Sequence, residues 1–232
     1  LRFSVTYDIV GPAELPLDYR GGFVALIKSV LNNMESKYPQ DIDSSPLCFA
    51  IRFDRKPTID GGKILIGNNV RLYISSPSSI LGTVLYNGLL SIKEFPIYGT
   101  KIANPVASYI KEYAVKKNFV VFATLSPIVI RHHQMRDRYV LPNEEGFLPS
   151  FHNSLEEEWS QHHSDNLRDY GEIVINLLKF KKVVMTHYGG LVLGFTGVLR
   201  VDASPAALKF FYQAGIGYRR TNGFGFMEVD SQ

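Results

Sequence analysis

The stretch Gly215-Ile216-Gly217-Tyr218-Arg219-Arg220-Thr221-Asn222-Gly223-Phe224-Gly225-Phe226 gathers residue types suited to holding an anion. Glycine admits positive φ and lets a main chain approach a ligand closely. Successive N–H groups in such a turn form a nest for phosphate, and Arg219-Arg220 adds charge at the same place. Gly215, Gly217, Gly223, Gly225, Arg219 and Arg220 are therefore candidate contacts to a phosphate-bearing ligand. The order is not that of a dinucleotide fingerprint, which needs G-x-G-x-x-G between a strand and a following helix. Here the sixth position is Arg220, and no Gly-Lys-Ser/Thr follows to make a nucleotide P-loop. A plainer reading stands beside this one: a hairpin-like connection with Asn222-Gly223 as a type I′ turn.

A second group is His132-His133, flanked by Arg131, Arg136 and Arg138. Imidazoles titrate near neutrality, so the pair could serve as acid and base, or lie in a loop touching nucleic acid. A solvated loop with incidental histidines is the alternative. Arg52, with Arg55 and Lys56, extends the basic character. His162-His163 falls on an amphipathic pattern and reads as packing or surface. His187, near Gly189-Gly190, reads as structural, and His152 has no evident partner. No Cys/His spacing suggests zinc and no Asp/Glu cluster suggests a two-metal nuclease, so neither metal nor cofactor is expected.

These groups sit in a chain of 232 residues, 45% hydrophobic and 20% charged, enough for one large or two small domains with proper cores. A net charge of +3 permits a nucleic-acid partner without demanding one. The single cysteine, Cys48, cannot form an internal disulfide, which fits a reducing, cytoplasmic compartment. No apolar run approaches the roughly 18 residues of a membrane span. The chain opens on Leu1 rather than Met, so the numbering is expected to begin inside a longer sequence.

Residues 2–10 alternate, with Phe3, Val5, Tyr7 and Ile9 on one face, as a half-buried strand does. Phe23, Leu26, Ile27, Val30, Leu31 and Met34 follow helical spacing; Lys28 falls on the opposite side. Gly21-Gly22 at the start fits either a phosphate at the helix N-terminus or tight packing of the first turn. Residues 47–54 alternate as a second strand, and Lys63–Ile66 with Val70–Ile74 form a third, split by Gly67-Asn68-Asn69. Ser76-Pro77 is the expected cap of a helix ending at Gly88, and residues 92–102 supply a further strand. After a connection at 104–118, residues 119–131 open a second unit. A polar loop is expected at 132–149, and Ser154 to Glu157 read as a capping box. Strands at 172–178, 183–187 and 191–201 follow, then a helix capped by Ser204-Pro205, the glycine stretch and a last strand. Leu191, Leu193, Phe195, Leu199 and Val201 are expected on one face. The fold class is α+β, tandem ferredoxin-like β-α-β-β-α-β domains at 1–103 and 119–232.

The chain resembles the CRISPR precursor-RNA processing endoribonucleases of the repeat-associated mysterious protein superfamily. The resemblance rests on Gly215-x-Gly217 with Gly223-Phe224-Gly225 before the last strand, on Thr124-Leu125-Ser126-Pro127-Ile128, on Tyr86-Asn87-Gly88-Leu89-Leu90 and on Leu15-Pro16. It implies binding of CRISPR repeat RNA and metal-independent cleavage: the upstream 2′-hydroxyl attacks in line, leaving a 2′,3′-cyclic phosphate and a 5′-hydroxyl. It also makes effector-complex subunits and a second copy of the chain expected partners. Many members carry a catalytic histidine between the first helix and second strand; residues 29–46 here hold Lys37 and Tyr38 instead. Lys28 falls where some relatives place a catalytic tyrosine. Lys28, Tyr38, His132 and His133 are thus the catalytic candidates, and Arg52, Arg131 and Arg136 join the glycine stretch as RNA contacts. Lysine titrates near 10 in water, about three units above neutrality, so it suits stabilising a phosphate better than taking a proton. A homologue that binds repeat RNA without cutting it, or a scaffold subunit, is the alternative.

Overall fold

The computed structural model describes residues 1–34, 46–135, 137–163 and 171–230. Tyr38 and Arg136 lie outside the described residues. Two compact units emerge: Leu1–Lys111 with Thr186–Gly190 and Thr221–Gly223, and Glu112–Met185 with Leu191–Arg220 and the chain from Phe224 onward.

In the first unit, β1 (Arg2–Val10) carries the alternating pattern and buries Phe3, Val5 and Tyr7 completely. The short β2 (Glu14–Pro16) leads into α1 (Arg20–Met34), which presents Phe23, Leu26, Ile27 and Val30 to that core and leaves Lys28 exposed. Each fully buried side chain of this kind contributes roughly 1.5–3 kcal/mol. Next come β3 (Cys48–Phe53), β4 (Thr58–Asp60), β5 (Lys63–Leu65) and β6 (Asn69–Ser75). The expected split at 67–69 is real, and it separates two sheets: β5 joins a small sheet in the order β2-β5-β4, while β6 enters the main one. Then follow α2 (Ser79–Ser91), β7 (Glu94–Ile97) and β8 (Thr100–Tyr109). The main sheet runs β3-β6-β1-β8-β7. Its first four members are second, third, first and fourth in the repeat, the ferredoxin-like order.

Several boundaries differ from expectation for identifiable reasons. The cap of α2 is Ser78, whose hydroxyl accepts from the Leu81 N–H at 3.2 Å, not Ser76. Ser76 instead donates to the Pro46 carbonyl and accepts from the Ser78 N–H. Gly88 lies within α2 rather than ending it. Residues 92–102 form a hairpin rather than one strand, turning at Tyr98-Gly99, where both φ values are positive. Residues 104–109, read as a connection, extend β8 along β1 to the pair Phe3–Tyr109.

The second unit repeats the topology with β9 (Phe119–Thr124), α3 (Phe147–His162), β10 (Val174–His187), β11 (Gly190–Asp202), α4 (Pro205–Ala214) and β12 (Met227–Val229), in the sheet order β10-β11-β9-β12. Again the order is second, third, first, fourth. The helix α3 begins inside the expected polar loop. Phe147, Phe151, Leu155 and Trp159, spaced by four, are buried on one face. Pro149 does not oppose this, because first-turn N–H groups lack helical partners. Ser154 is therefore mid-helix, not a cap; the N-cap is Gly146, at φ 84°. The lysines at 179, 181 and 182 do not interrupt β10, an edge strand on which they are exposed. In β11, Leu191 is exposed, whereas Val192 and Phe195 are buried in different clusters. Ser204 caps α4 as expected, accepting from the Ala207 N–H at 3.2 Å, with Pro205 in the first turn. No helix among the described residues is long and apolar enough to cross a membrane.

Candidate functional site

The end of α4 sets up the glycine stretch. Gly215 adopts φ 79° and donates its N–H to the Phe211 carbonyl at 2.9 Å, closing the helix. The chain then weaves through the segment after β9: Tyr218 N–H donates to Val129 O at 2.7 Å and Gly225 N–H to Pro127 O at 2.8 Å. Ile216 N–H donates to Gly225 O at 2.9 Å, and Phe226 N–H to the Ser126 hydroxyl at 2.9 Å. A Cβ on Gly217 would lie 2.6 Å from Val129 O, and one on Gly225 only 2.0 Å from Ile216 O. These glycines therefore serve the crossing of two backbones within the fold, and the amides of residues 216, 218 and 225 are engaged there. This corrects the picture of an amide nest turned outward. Gly215, Gly223 and Gly225 are buried, and the more accessible arc runs from Gly217 to Asn222. Asn222 closes a 3₁₀ turn, Arg220–Asn222, and lacks the positive φ that a type I′ turn at Asn222-Gly223 requires.

Charge on this arc is carried by side chains. The Arg131 guanidinium lies 3.9 Å from the Tyr218 ring centroid and donates to its hydroxyl at 2.5 Å. The Arg219 guanidinium lies 5.5 Å from the same centroid, and Arg219 holds φ 64°, an uncommon conformation outside glycine. The Nε atoms of both arginines are buried and meet no acceptor among the described residues. Neither is paired with a carboxylate there. Arg220 differs: it closes an ion pair with Glu158 of α3, both side chains mostly buried, and Nη1 donates to Ala214 O at 3.4 Å. It ties the loop to α3. Arg138 pairs with Glu144 at 3.5 Å.

The histidines of the loop after β9 are engaged in local structure. His132 is buried, and its Nδ1 accepts from the Gln134 and Met135 N–H groups, both at 3.2 Å. Its ring stacks on His133 at 4.9 Å, whose Nδ1 lies 2.9 Å from the Ser150 hydroxyl. His163 stacks on Trp159 at 3.7 Å, and His162 packs against Phe210. His152, read as having no evident partner, donates from Nε2 to Ile173 O at 3.0 Å. No group of three or more His, Cys, Asp or Glu side chains placed to hold a metal occurs among the described residues.

In the first unit, Gly21 and Gly22 pack against the β7–β8 turn, where a Cβ would come within 2.6 Å of the Tyr98 hydroxyl and 2.7 Å of Ile97. Tight packing of the first helical turn is thus the observed use. Beside it lies a group that sequence reading missed. Buried His187 places Nδ1 3.2 Å from Asp18 Oδ1, and the Gly189 N–H reaches Oδ2 at 3.4 Å. Burial, reinforced by Asp18 and Tyr188, raises the Tyr98 hydroxyl above its ordinary value. His187 and Asp18 are 169 positions apart, which no local pattern could signal. Arg52 is exposed on β3, directly opposite Arg71 on β6.

The model for the C-terminal part of CRISPR associated protein Cas6 matches residues 110–229, just over half of the chain. The chain belongs to the Cas6 family. A curated relative from Pyrococcus horikoshii, named a CRISPR-associated endoribonuclease-like protein Cas6nc, is 26% identical over 227 residues, covering 93% of each chain. A solved Cas6-related protein from Pyrococcus furiosus superposes with TM-score 0.85 at 22% identity over the full length of both chains. A structure described as a RAMP protein binding different RNA substrates superposes with TM-score 0.83 at 22% identity over 99% of each. These Cas6 likenesses agree with the duplicated strand order in showing the tandem ferredoxin-like fold. The matched segment contains the glycine stretch and both arginines on the Tyr218 ring.

Proposed function

We propose that this Cas6 chain binds the repeat RNA of CRISPR transcripts and cleaves it without a metal ion. The observation that carries the reading is Tyr218 flanked by the guanidiniums of Arg131 and Arg219, with both Nε donors unmet and no carboxylate paired to either among the described residues. Arginine presents a planar fork of donors matched to phosphate oxygens, and an aromatic face admits base stacking. The names of an endoribonuclease-like Cas6nc relative and of a RAMP protein binding different RNA substrates support the same substrate class. In the reaction, the 2′-hydroxyl loses its proton and its oxygen attacks the adjacent phosphorus in line. The 5′-oxygen leaves and takes up a proton, giving 2′,3′-cyclic phosphate and 5′-hydroxyl ends with no external nucleophile. Arg131 and Arg219 would hold the phosphate chain, and exposed Lys28 would stabilise developing charge. Orientation for in-line attack then supplies much of the rate.

The test is incubation of repeat RNA from the same genome in EDTA. Cyclic-phosphate product is expected, abolished by a 2′-deoxy nucleotide at the cut site; cleavage that survives the deoxy substitution refutes the mechanism. A second reading, binding without turnover, is favoured by His132 and His133, both engaged in local structure. Tight binding with intact RNA recovered would select it. Association with effector subunits or a second copy belongs to either reading and is measured by light scattering after co-purification.

A further inference from the structure

Two hairpin turns in the first unit share the dipeptide Tyr-Gly. Ile97 pairs with Thr100 across the β7–β8 turn, leaving Tyr98-Gly99 at its centre. Tyr188-Gly189 connects β10 to β11 and lies in the segment Thr186–Gly190 that belongs to this unit. All four residues hold positive φ, 46° and 87° in the first turn and 49° and 73° in the second. Two-residue turns of this kind favour asparagine, aspartate or glycine at the first place, because a bulky side chain there crowds its own backbone. Tyrosine is unfavourable for either turn, and what the rings reach accounts for it. A Cβ on Gly21 would lie 2.6 Å from the Tyr98 hydroxyl oxygen and 3.6 Å from Cε1 of Tyr188. Both turns thus deliver a tyrosine to the first turn of α1, and the two remain 51% and 61% exposed.

The Tyr98 oxygen is held there by opposing influences. Burial, then Asp18 and Tyr188, keep the phenol protonated beyond its ordinary range, while the Gly22 N–H bonds to the oxygen and favours the phenolate. Asp18 is itself fixed by His187 Nδ1 at 3.2 Å and by the Gly189 N–H at 3.4 Å. A hydroxyl oxygen that accepts from an amide keeps its own O–H to give. From Gly21 the outer face of α1 continues through Ala25 to Lys28, at steps of four and three residues, and Ala25 and Lys28 are exposed. Lys28 is therefore about 10.5 Å along the axis from Gly21. Glycine and alanine leave this face low. A phosphate lying along it meets a proton donor at one end and an ammonium at the other.

We infer that Tyr98 is a catalytic residue of the proposed cleavage, the acid that protonates the leaving 5′-oxygen. The inference rests on the reading that this chain cuts repeat RNA, and it supplies the proton that the departing oxygen takes up. As the 2′-oxygen closes on phosphorus, its proton passes to water. The bond from phosphorus to the 5′-oxygen breaks, and the Tyr98 O–H proton moves to that oxygen. The phenolate is stabilised by the Gly22 N–H and the positive end of α1, and it then recovers a proton from water. Protons balance over the cycle and nothing is oxidised or reduced. The transfer runs downhill because a departing alkoxide is far more basic than a phenolate.

Single-turnover cleavage in EDTA of two repeat RNAs tests it, one natural and one with sulfur in place of the bridging 5′-oxygen at the cut. A thiolate leaves without being protonated, so the second RNA does not need the acid. Tyr98→Phe keeps the ring and loses only the hydroxyl. It is expected to slow the natural RNA by about 10²-fold or more and the sulfur-bridged RNA by less than about threefold, with repeat-RNA affinity and Tm close to wild type. Tyr109→Phe, on an exposed ring of β8 stacked on Tyr86, is the control and should cut both RNAs at the wild-type rate. Equal slowing of both RNAs by Tyr98→Phe overturns the assignment, because the residue would then act through structure. Undiminished cleavage of the natural RNA by Tyr98→Phe overturns it too, and leaves the proposed function standing. Wild-type protein that binds the repeat but cuts neither RNA removes the cleavage reading, and this assignment with it.

Discussion

Arg219 shares the Tyr218 ring with Arg131, whereas the next residue, Arg220, closes an ion pair with Glu158. Arg219→Ala should weaken repeat-RNA binding and lower the salt slope by about 0.7, with little change in Tm, as read by anisotropy and thermal melting. Arg220→Ala should behave oppositely, because removing one partner of a mostly buried pair strands the other and costs about 3 kcal/mol. A large affinity loss for Arg220→Ala at unchanged Tm would contradict this division. His162, beside the same ion pair, carries a pH signature. Burial lowers its pKa, opposed by Glu158 and reinforced by Arg220 and His163. The folded value lies below the unfolded one of about 6.5, so in that interval the unfolded chain binds more protons. Stability should therefore be full above about pH 6.5 and decline as pH falls through the folded pKa. Chemical denaturation should show a flatter profile over this window for His162→Gln than for wild type.

At the scale of elements, local chemistry decided some termini and tertiary packing decided others. Ser204-Pro205 was legible because a hydroxyl cap and a first-turn proline act within four residues. Ser76 was misread because Ser78, two positions on, has the same cap chemistry, and contacts with Pro46 and Leu1 select between them. Ser78→Ala should destabilise the protein by about 1 kcal/mol, while Ser154→Ala, mid-way along α3, should change stability by less than about 0.5 kcal/mol. Denaturant midpoints compare them directly. The glycine stretch was legible as special, but its reason was not. Gly217 and Gly225 answer to carbonyls of Val129 and Ile216, and the first of these is remote in sequence.

For the whole molecule, a net charge of +3 on 232 residues is too slight for indiscriminate polyanion binding, so affinity must come from local groupings. Repeat RNA at about a hundred times its Kd should stabilise the protein by about 2.7 kcal/mol, measured as a rise in Tm; an unrelated duplex DNA at equal concentration should give a smaller rise. Hydrophobic alternation and helical spacing by themselves determined the duplicated β-α-β-β-α-β order, because those periods are set by backbone geometry within each element. The same local rules marked the glycine and arginine residues as unusual. Only the tertiary structure decided that Arg219 keeps a donor unmet among the described residues while Arg220 is paired, that Arg52 faces Arg71, and that His187 meets Asp18. Those outcomes depend on strand register and on partners far away along the chain, and a hydrogen bond or ion pair exists only where both ends arrive.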